Sequence, residues 1–306
     1  TLADLLQGEA GFEYGRNGGP GTVTSFFLRG QNSANMVLMV DGVRVLTDSL
    51  GSLTQTDMPL SQIERIEILR GNAGALYGDA AIGGVINIYT RQGKDPLRPY
   101  GAISYGKYNT RDAYVGYGGE MEGKRLDLNA GMTKSDGFSS MNKLQNTNTD
   151  PADNGFSKNH AALRIENKLT PDLRIGARVA ASRTEASYDK NDINAYALKS
   201  ANDTFSAYAR QQISQAWFSS LDLTHAVLKY EDFKNGQPYP VNSYTSSFLN
   251  GKQNALRWSN LYEIAPGHKA TLGVDLLKDE YNTSGNYGYQ INRDTKGYHA
   301  GLTSVI

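Results

Sequence analysis

Acidic and amide side chains recur in two neighbouring polar segments of the chain, where they could bind a cation. The first segment carries Asp150, Asp153 and Asn154, and the second opens at Asp189 and closes at Asp203. Their oxygens are hard ligands with no His or Cys cluster nearby, so the pattern favours Ca²⁺ over a transition metal. The alternative is a pair of solvated polar loops, a setting that Asp, Asn and Ser favour without any metal.

Side chains for covalent chemistry are scarce in the 306 residues. There is no cysteine, which excludes disulfides, thiolate metal sites and a cysteine nucleophile. Four histidines stand singly and lack the H-x-x-x-H spacing of a zinc or haem pair: His160, His225, His268 and His299. No nucleophile and base can be paired from the sequence, so we predict a protein that is not an enzyme.

Charge and hydropathy narrow the class of protein. Lys plus Arg and Asp plus Glu both number 31, so no global field would attract nucleic acid. Mean hydropathy is -0.50, and no apolar run approaches the roughly 18 residues of a transmembrane helix. A transmembrane β-barrel stays compatible, because its alternating strands average out as polar. The 19 tyrosines suit a membrane interface, although tyrosine is also common in soluble β-proteins.

The first ninety residues predict a compact set of short strands joined by glycine-rich connections. Two apolar runs, Ile63 to Leu69 and Val85 to Tyr89, bracket a glycine-rich connection and predict a pair of strands. Met36 to Val40 predicts another strand, and the Asp41-Gly42 pair after it predicts a hairpin. The run from 14 to 21 holds so many glycines that we expect an exposed loop.

Strict alternation dominates from about residue 100 onwards. Leu126, Leu128 and Ala130 share one face of a predicted strand, while charged residues such as Arg125 and Asp127 share the other. Links between such strands alternate in length. Short links lie at 119–123, 170–171, 213–215 and 265–267, and long polar links lie at 135–158, 187–202, 232–253 and 282–293. This layout is typical of an outer-membrane barrel with periplasmic turns and extracellular loops.

About ten strands can be counted in this way, which creates a problem of size. A barrel of ten strands is barely wider than its own side chains, whereas plugged transporters use about 22 strands. We therefore expect the 306 residues to be the amino-terminal portion of a longer all-β membrane barrel.

Five segments resemble, in order and spacing, the plug domain of TonB-dependent outer-membrane receptors. They are SFFLRG at 25–30, VLMVDGVRV at 37–45, IERIEILRG at 63–71, ALYG at 75–78 and AIGGVINIYT at 81–90. The resemblance implies a mixed α/β plug at residues 1–97, lacking its amino-terminal segment, inside a barrel that begins at residue 98. It also implies active transport across the bacterial outer membrane, a monomer surrounded by membrane lipid, and the TonB protein as partner.

The plug segments and the acidic loops are most similar to those of the cobalamin-receptor subfamily. The resemblance therefore implies uptake of cobalamin or a related corrinoid, with a ferric siderophore or haem as alternative substrates and a non-specific porin as a different class. TDPADNGFSK, SYDKN and ANDTF are similar to the segments that hold calcium in this subfamily. On that resemblance Asp153 or Asn154, Asp189 and Asp203 would be the ligands, beside Asp150.

Two further sets of residues follow from the resemblance. Polar residues of the apical plug loops would bind substrate together with one barrel tyrosine, unless they are simply solvent-exposed: Arg16, Asn17, Gly18, Thr47, Asp48, Ser49, Leu50 and Tyr188. Charged residues within the plug strands would form structural ion pairs with the polar barrel wall rather than do catalysis: Arg29, Arg44, Glu64, Glu67 and Arg70.

Overall fold

The computed structural model describes most of the chain and divides it into two small amino-terminal sheets and one large sheet. The residues described are 2–16, 19, 21–22, 24–47, 58–71, 77, 81–93, 96–139, 141–142, 144, 147–150, 152–238, 248–284 and 288–304. Among these residues, no helix is both long and apolar enough to cross a membrane.

The first small sheet packs under a short helix. Helix α1 spans Leu2–Leu6, and strands β1 (Phe12–Arg16), β2 (Thr24–Leu28) and β3 (Gln31–Asn32) follow in antiparallel order. Leu2, Leu6 and Phe26 are fully or almost fully buried in the core that these elements share. The two-residue turn between β2 and β3 has positive φ at both of its residues, which the right-handed twist of a hairpin favours.

Strand β1 contradicts the loop expected at 14–21. The glycines there predict irregular backbone, yet Tyr14 and Gly15 lie in a strand whose residues pair one by one with β2. Phe12 supplies the reason, because its ring packs on Phe26 with a centroid distance of 5.2 Å. Tertiary packing outweighs the poor strand propensity of glycine here.

The second small sheet contains the predicted strand pair. Strands β4 (Met36–Val40), β5 (Val43–Arg44), β6 (Ile63–Arg70) and β7 (Gly84–Thr90) take the order β5-β4-β7-β6. β6 and β7 are antiparallel, as expected, whereas β4 and β7 are parallel. A 3-10 helix at Leu60–Gln62 leads into β6. Parallel pairing buries β4 and β7 on both faces, which explains their nearly continuous apolar sequence.

The large sheet is an antiparallel meander of ten long strands and one short one. Its strands are β8 (Arg98–Gly106), β9 (Thr110–Met121), β10 (Lys124–Ser135), β11 (Phe156–Lys168), β12 (Leu173–Tyr188), β13 (Tyr196–Ser214), β14 (Trp217–Lys234), β15 (Gln237–Pro238), β16 (Phe248–Ala265), β17 (His268–Thr283) and β18 (Gln290–Ser304). Consecutive long strands are neighbours, and the described part of the sheet has β8 and β18 at its edges. The ten long strands match the expected count.

Alternation divides this sheet into an apolar and a polar face, as the sequence predicts. Leu128, Ile165 and Leu272 are exposed on one face, which we call the outward face. Asn129, Arg164 and Asp279 are buried on the other face. Charged residues can be buried there because they have hydrogen-bond or ion-pair partners. We call this the inward face, since the two small sheets lie against it.

The links at the two ends of the large sheet differ in length, as the sequence predicts. One end, the turn end, has the short links 122–123, 169–172, 215–216 and 266–267. The other, the loop end, has the links 107–109, 136–155, 189–195, 235–247 and 284–289. The expected loop at 187–202 is too long, because β13 already begins at Tyr196. Asp203 therefore lies within a strand.

Candidate functional site: the plug against the barrel wall

The hairpin between β4 and β5 places a carboxylate against the wall of the large sheet. Asp41 and Gly42 form its two-residue turn, with φ of 53° and 86°. The Asp41 carboxylate accepts hydrogen bonds from the backbone N–H and the hydroxyl of Thr90, at 2.9 and 2.7 Å. Arg164 on β11 donates to the same carboxylate at 2.5 Å. This ion pair joins the small sheets to the wall.

Arg164 is held by a chain of polar contacts along the inward face. Its Nη1 atom donates to the Tyr208 hydroxyl at 3.0 Å, and that hydroxyl donates to Glu166 at 3.1 Å. Glu166 in turn pairs with Arg125 and Arg174, at 2.9 and 3.0 Å. Since each charge has an opposite neighbour, the wall presents Arg164 in one position.

The 3-10 helix before β6 makes the second contact with the wall. Gln62 accepts a hydrogen bond from Arg178 on β12 at 3.0 Å. The Ser61 hydroxyl lies 3.2 Å from both Asn129 Oδ1 and His160 Nε2. All of these side chains are buried, so this contact excludes solvent between the helix and strands β10 to β12.

A third contact lies further along the wall, on β16. Arg257 donates to the backbone carbonyl of Gly42 at 2.6 Å, and its Nε atom lies 3.6 Å from Asp275. Between the β4–β5 hairpin and the wall is a cavity of about 100 Å³. Arg44 also lines this cavity, and its ion pair with the wall stays a prediction.

The other predicted ion pairs with the wall differ in the structure. Arg70 pairs with Glu9 at 2.6 Å, and Glu67 pairs with Arg65 at 2.8 Å. Both of these ion pairs join residues that lie outside the wall. β6 is an edge strand of its sheet and its polar residues are partly exposed, so wall partners for Arg70 and Glu67 stay a prediction.

Neighbours within the small sheets also surround the two remaining members of that set. Glu64 accepts a hydrogen bond from the backbone N–H of Gln92 at 3.2 Å. The Arg29 side chain lies alongside Gly11 and Gly71. Beside Glu67, burial raises the pKa of the Tyr89 hydroxyl above its usual range, so Tyr89 stays a proton donor to that carboxylate.

The residues that do join the two parts were missed in the sequence. Asp41 has the features of a turn residue, and Arg164 and Arg178 have those of ordinary polar positions in alternating strands. One sequence feature could have predicted them. An arginine on the buried face of a strand needs a hydrogen-bond acceptor or a carboxylate as partner, so such an arginine indicates a contact with another part of the chain.

Two segments of the small sheets reach the loop end of the wall. Gly21 is so close to β11 and β12 that an added Cβ would lie 3.1 Å from the Cβ atoms of Phe156 and Ala186. Leu46 is fully buried in a cluster with Leu228 and Tyr281 of the wall. Gly21 and Leu46 therefore lie near the loop end of the wall.

The predicted substrate residues fall partly outside this description. Asn17, Gly18, Asp48, Ser49 and Leu50 lie outside the described residues.

The remaining three are placed as follows. Arg16 donates to Asp4 of α1 at 3.1 Å, and Thr47 is buried. Tyr188 lies at the loop end of β12, where its hydroxyl donates to Asp232 at 2.9 Å. Its ring centroid is 5.6 Å from that of Tyr196. Tyr188 is thus fixed by neighbouring strands, whereas Arg16 is engaged within the small sheet.

The predicted metal ligands do not come together as one set. Asp189 accepts hydrogen bonds from Ser139 and Asn154 at 2.7 and 2.6 Å, and its Oδ1 atom is buried without a partner among the described residues. Asp203 lies on β13 and binds Arg183 through both oxygens, at 2.7 and 2.9 Å. Its predicted place beside Asp189 is therefore wrong.

The first acidic loop completes this picture. Asp150 accepts a hydrogen bond from the backbone N–H of Ala152 at 2.9 Å. No group of three or more His, Cys, Asp or Glu side chains that could hold a metal occurs in the described part of the chain. The calcium site stays a prediction.

Known proteins with this arrangement identify the class. The TonB-dependent receptor plug domain family matches residues 1–85. Its plug corresponds to the two small sheets, and the large sheet is the barrel wall. Residues 1–85 thus match this plug family, and the chain as a whole is similar to TonB-dependent receptors of the bacterial outer membrane.

Individual relatives sharpen this assignment. The vitamin B12 transporter BtuB of Vibrio cholerae is 27% identical over 288 residues, which cover 92% of this chain and 45% of the relative. BtuB of Photobacterium profundum is also 27% identical, over 308 residues that cover 100% of this chain and 48% of the relative. The chain thus spans about half the length of these relatives.

Solved structures share the fold at low sequence identity. A structure of the ferric enterobactin receptor PfeA from Pseudomonas aeruginosa superposes with a TM-score of 0.77 at 17% identity, covering 98% of this chain and 52% of that one. The ferric yersiniabactin receptor FyuA from Yersinia pestis gives 0.56 at 16% identity, with coverage of 98% and 58%. These likenesses show the same plug and wall.

Proposed function

We propose that the receptor to which this chain belongs imports cobalamin or a related corrinoid across the outer membrane. The observation that carries the proposal is the similarity to vitamin B12 transporters over nearly the whole chain, through both plug and wall. The substrate would bind at the loop end, between the plug segments that follow Arg16 and Leu46 and the long barrel loops. Tyr188, fixed at that end of β12, is the described side chain best placed for contact.

Transport rather than catalysis suits the plug–wall contacts. The plug lies against the wall through buried polar groups at Asp41, Ser61 and Gln62. Such contacts hold the plug in place, so its rearrangement needs work from outside. The TonB protein of the inner-membrane energy complex would supply that work, and the relatives are named as transporters and receptors.

Equilibrium binding of cyanocobalamin to the full-length receptor in detergent tests the substrate. We expect saturable binding that a ferric catecholate siderophore does not displace. Displacement by the siderophore, or siderophore binding alone, would instead favour the second candidate. That candidate rests on structural neighbours named as ferric siderophore receptors, which support it only through a shared fold.

We also propose that Ca²⁺ orders the acidic loops around Asp189. The Oδ1 atom of Asp189, which has no partner among the described residues, supports this, because a buried carboxylate oxygen without a donor suits a hard cation. Asp150, Asp153 and Asn154 of the preceding loop would supply further oxygens. We leave Asp203 out of the proposed ligand set, since Arg183 donates to both of its oxygens.

Calorimetry of Ca²⁺ binding to the full-length receptor tests this second proposal. The Asp189→Asn variant should bind Ca²⁺ at least about tenfold more weakly, because a site of oxygen ligands is tuned by its number of charges. Asp203→Asn is the matched control and should bind like the parent protein. Equal affinities for all three proteins would contradict the role of Asp189.

A further inference from the structure

Arg178 on β12 is a buried cation that forms no ion pair in the part of the chain that the structure describes. The residue is 6% exposed, and its guanidinium donates to Gln62 Oε1 at 3.0 Å. Gln62 is neutral, so this hydrogen bond satisfies a donor but does not balance the charge. Burial of a charge without a counter-charge strongly disfavours the folded state. We therefore expect a negative group close to Arg178.

The neighbouring strand makes this need greater. Arg164 on β11 pairs directly with Arg178 in the strand register, so two buried arginines lie side by side on the inward face. Like charges directly opposite each other destabilise a sheet. The Asp41 carboxylate lies at this part of the wall, but its oxygens already accept hydrogen bonds from Arg164 and Thr90. Asp127 lies beyond Arg164 on β10, two strands or roughly 10 Å away from β12. Neither carboxylate thus pairs with Arg178.

Hydroxyl groups continue the line of residues on the other side of Arg178. Arg178 lies opposite Ser206 of β13, and Ser206 lies opposite Thr224 of β14. The two hydroxyl oxygens are 3.0 Å apart, so one O–H group donates to the other oxygen. The second O–H group has no acceptor among the described residues. A guanidinium beside a hydroxyl donor is a combination that suits an anion.

Arg178, Ser206 and Thr224 all line the cavity of about 100 Å³ between the β4–β5 hairpin and the wall. The other charged residues among its described lining are Asp41, which is already engaged, and Arg44. One water molecule needs about 10–15 Å³ of such a cavity. The cavity therefore has room for a monatomic ion with a few waters, but not for a large solute.

We propose that this cavity binds a monovalent inorganic anion such as chloride, held by the Arg178 guanidinium and the hydroxyl groups of Ser206 and Thr224. The ion would be the counter-charge of Arg178. A monovalent ion suits the site, because a divalent oxyanion would add a further negative charge close to Asp41. A water beside the ion would donate to Asn202 Oδ1, which is buried without a partner among the described residues and lines the same cavity.

The site is formed by the plug and the wall together, so anion binding and plug docking are linked. Gln62 of the plug holds Arg178, and the β4–β5 hairpin of the plug covers the cavity. When the plug leaves the wall, water can reach Arg178 and takes the place of the ion. The anion therefore stabilises the docked plug by mass action, whichever substrate the receptor imports.

Hydrogen exchange of plug amides in the full-length receptor in detergent tests the site, with chloride replaced by the larger anion gluconate at constant ionic strength. We expect exchange of the Met36–Val40 and Leu60–Gln62 amides to slow saturably as chloride rises, by roughly tenfold at ten times its dissociation constant. Arg178→Gln should abolish this dependence. Arg210→Gln is the matched control and should keep it, because Arg210 is another inward arginine but pairs with Asp222 at 2.5 Å. The ratio of exchange rates in the two salts is the readout, so a general loosening of the plug by either substitution cancels.

A second variant and a direct observation make the test independent of how well Arg178→Gln folds. Thr224→Val keeps Arg178 and the shape of the side chain but removes a hydroxyl. It should raise the chloride concentration of half-maximal effect on the order of tenfold, since a hydrogen bond to a charged group is lost. Bromide, a heavier ion of the same charge, should appear between Arg178 and Ser206 in anomalous diffraction from crystals of the full-length receptor.

Three results would overturn the site. One is plug exchange in the parent protein that does not respond to chloride at constant ionic strength, which would mean that Arg178 has another counter-charge. Another is an equal chloride response in the Arg178→Gln variant, which would mean that chloride acts elsewhere. The third is anomalous density for bromide only outside the cavity.

Discussion

Single residues differ widely in what their ion pairs contribute, and burial decides the difference. The Arg164 and Asp41 side chains are 8% and 22% exposed, and their oxygens and nitrogens have further polar partners. The Arg65 and Glu67 side chains are 47% and 54% exposed. Water screens the second pair and hardly reaches the first, so only the first can fix the position of the plug.

Asp41→Asn should therefore loosen the plug far more than Glu67→Gln. Removing the Asp41 charge leaves Arg164 buried without its carboxylate, which costs about 3 kcal/mol, whereas an exposed pair contributes at most about 1 kcal/mol. Hydrogen exchange of β4 and β7 amides in the full-length receptor would measure the free energy of local opening. Equal, small losses in both variants would show that Arg164 finds another partner.

For single residues, the sequence pattern predicts which face of a strand a side chain occupies, but it does not predict the residue with which that side chain pairs. Alternation correctly places Asp127 and Arg164 on a polar face, because period two needs only the local strand. The partner of Arg164 is 123 residues away in the chain, in a turn of the plug. No local property of Asp41 distinguishes it from any other hairpin aspartate, so only the docked plug reveals it.

Among the elements, the β6–β7 pair depends on one glycine more than on its apolar residues. Gly84 begins β7 with φ of 149°, and an added Cβ would lie 2.3 Å from the Leu69 carbonyl and 2.7 Å from Leu28 Cδ2. A backbone carbonyl and a core side chain therefore both leave no room for a side chain at Gly84. Gly84, and Gly83 just before it, thus mark close approach of the backbone to neighbouring strands, as the sequence suggests.

Gly84→Ala should open the plug sheet, with a loss above about 3 kcal/mol, since the clash adds to a backbone conformation that suits only glycine. Gly30→Ala is the matched control. Gly30 also has positive φ, 77°, but an added Cβ would have no atom within 4 Å, so the loss should be about 1 kcal/mol. Hydrogen exchange of the backbone amides of Ile63–Arg70 measures the loss of stability in both variants. Equal protection of these amides in the two variants would show that β6 and β7 shift apart and so accommodate the added methyl group.

Long strands of the wall were predictable, whereas short plug strands were less so. Twelve or more alternating residues leave little choice of structure, and β10 to β14 follow the pattern closely. β1 has five residues, one of them glycine, and exists because β2 and Phe26 are beside it. Its sequence carries no comparable signal.

On the scale of the whole molecule, the plug meets the wall at both ends but by different chemistry. Polar groups at Asp41, Ser61 and Gln62 make the contacts with the middle and turn-end part of the wall. Close packing at Gly21 and Leu46 makes the contacts at the loop end. Displacement of the plug must therefore break buried polar contacts and also separate Gly21 and Leu46 from the wall residues against which they pack.

A disulfide across the loop-end contact should block that displacement without preventing substrate binding. Gly21→Cys with Ala186→Cys would place the two Cβ atoms 3.1 Å apart, a few tenths of an ångström short of the usual disulfide spacing. The φ of 87° at Gly21 and the Phe156 Cβ, also 3.1 Å away, strain the new side chain, and the Gly21→Cys single variant carries the same strain. The 306 residues contain no other cysteine to compete. We expect cells with the oxidised double variant in the full-length receptor to bind cyanocobalamin but to import it at least about tenfold more slowly, with recovery after reductant. Either single variant is the control. Unchanged import by a fully oxidised double variant would show that the plug moves without parting from β12 at Gly21.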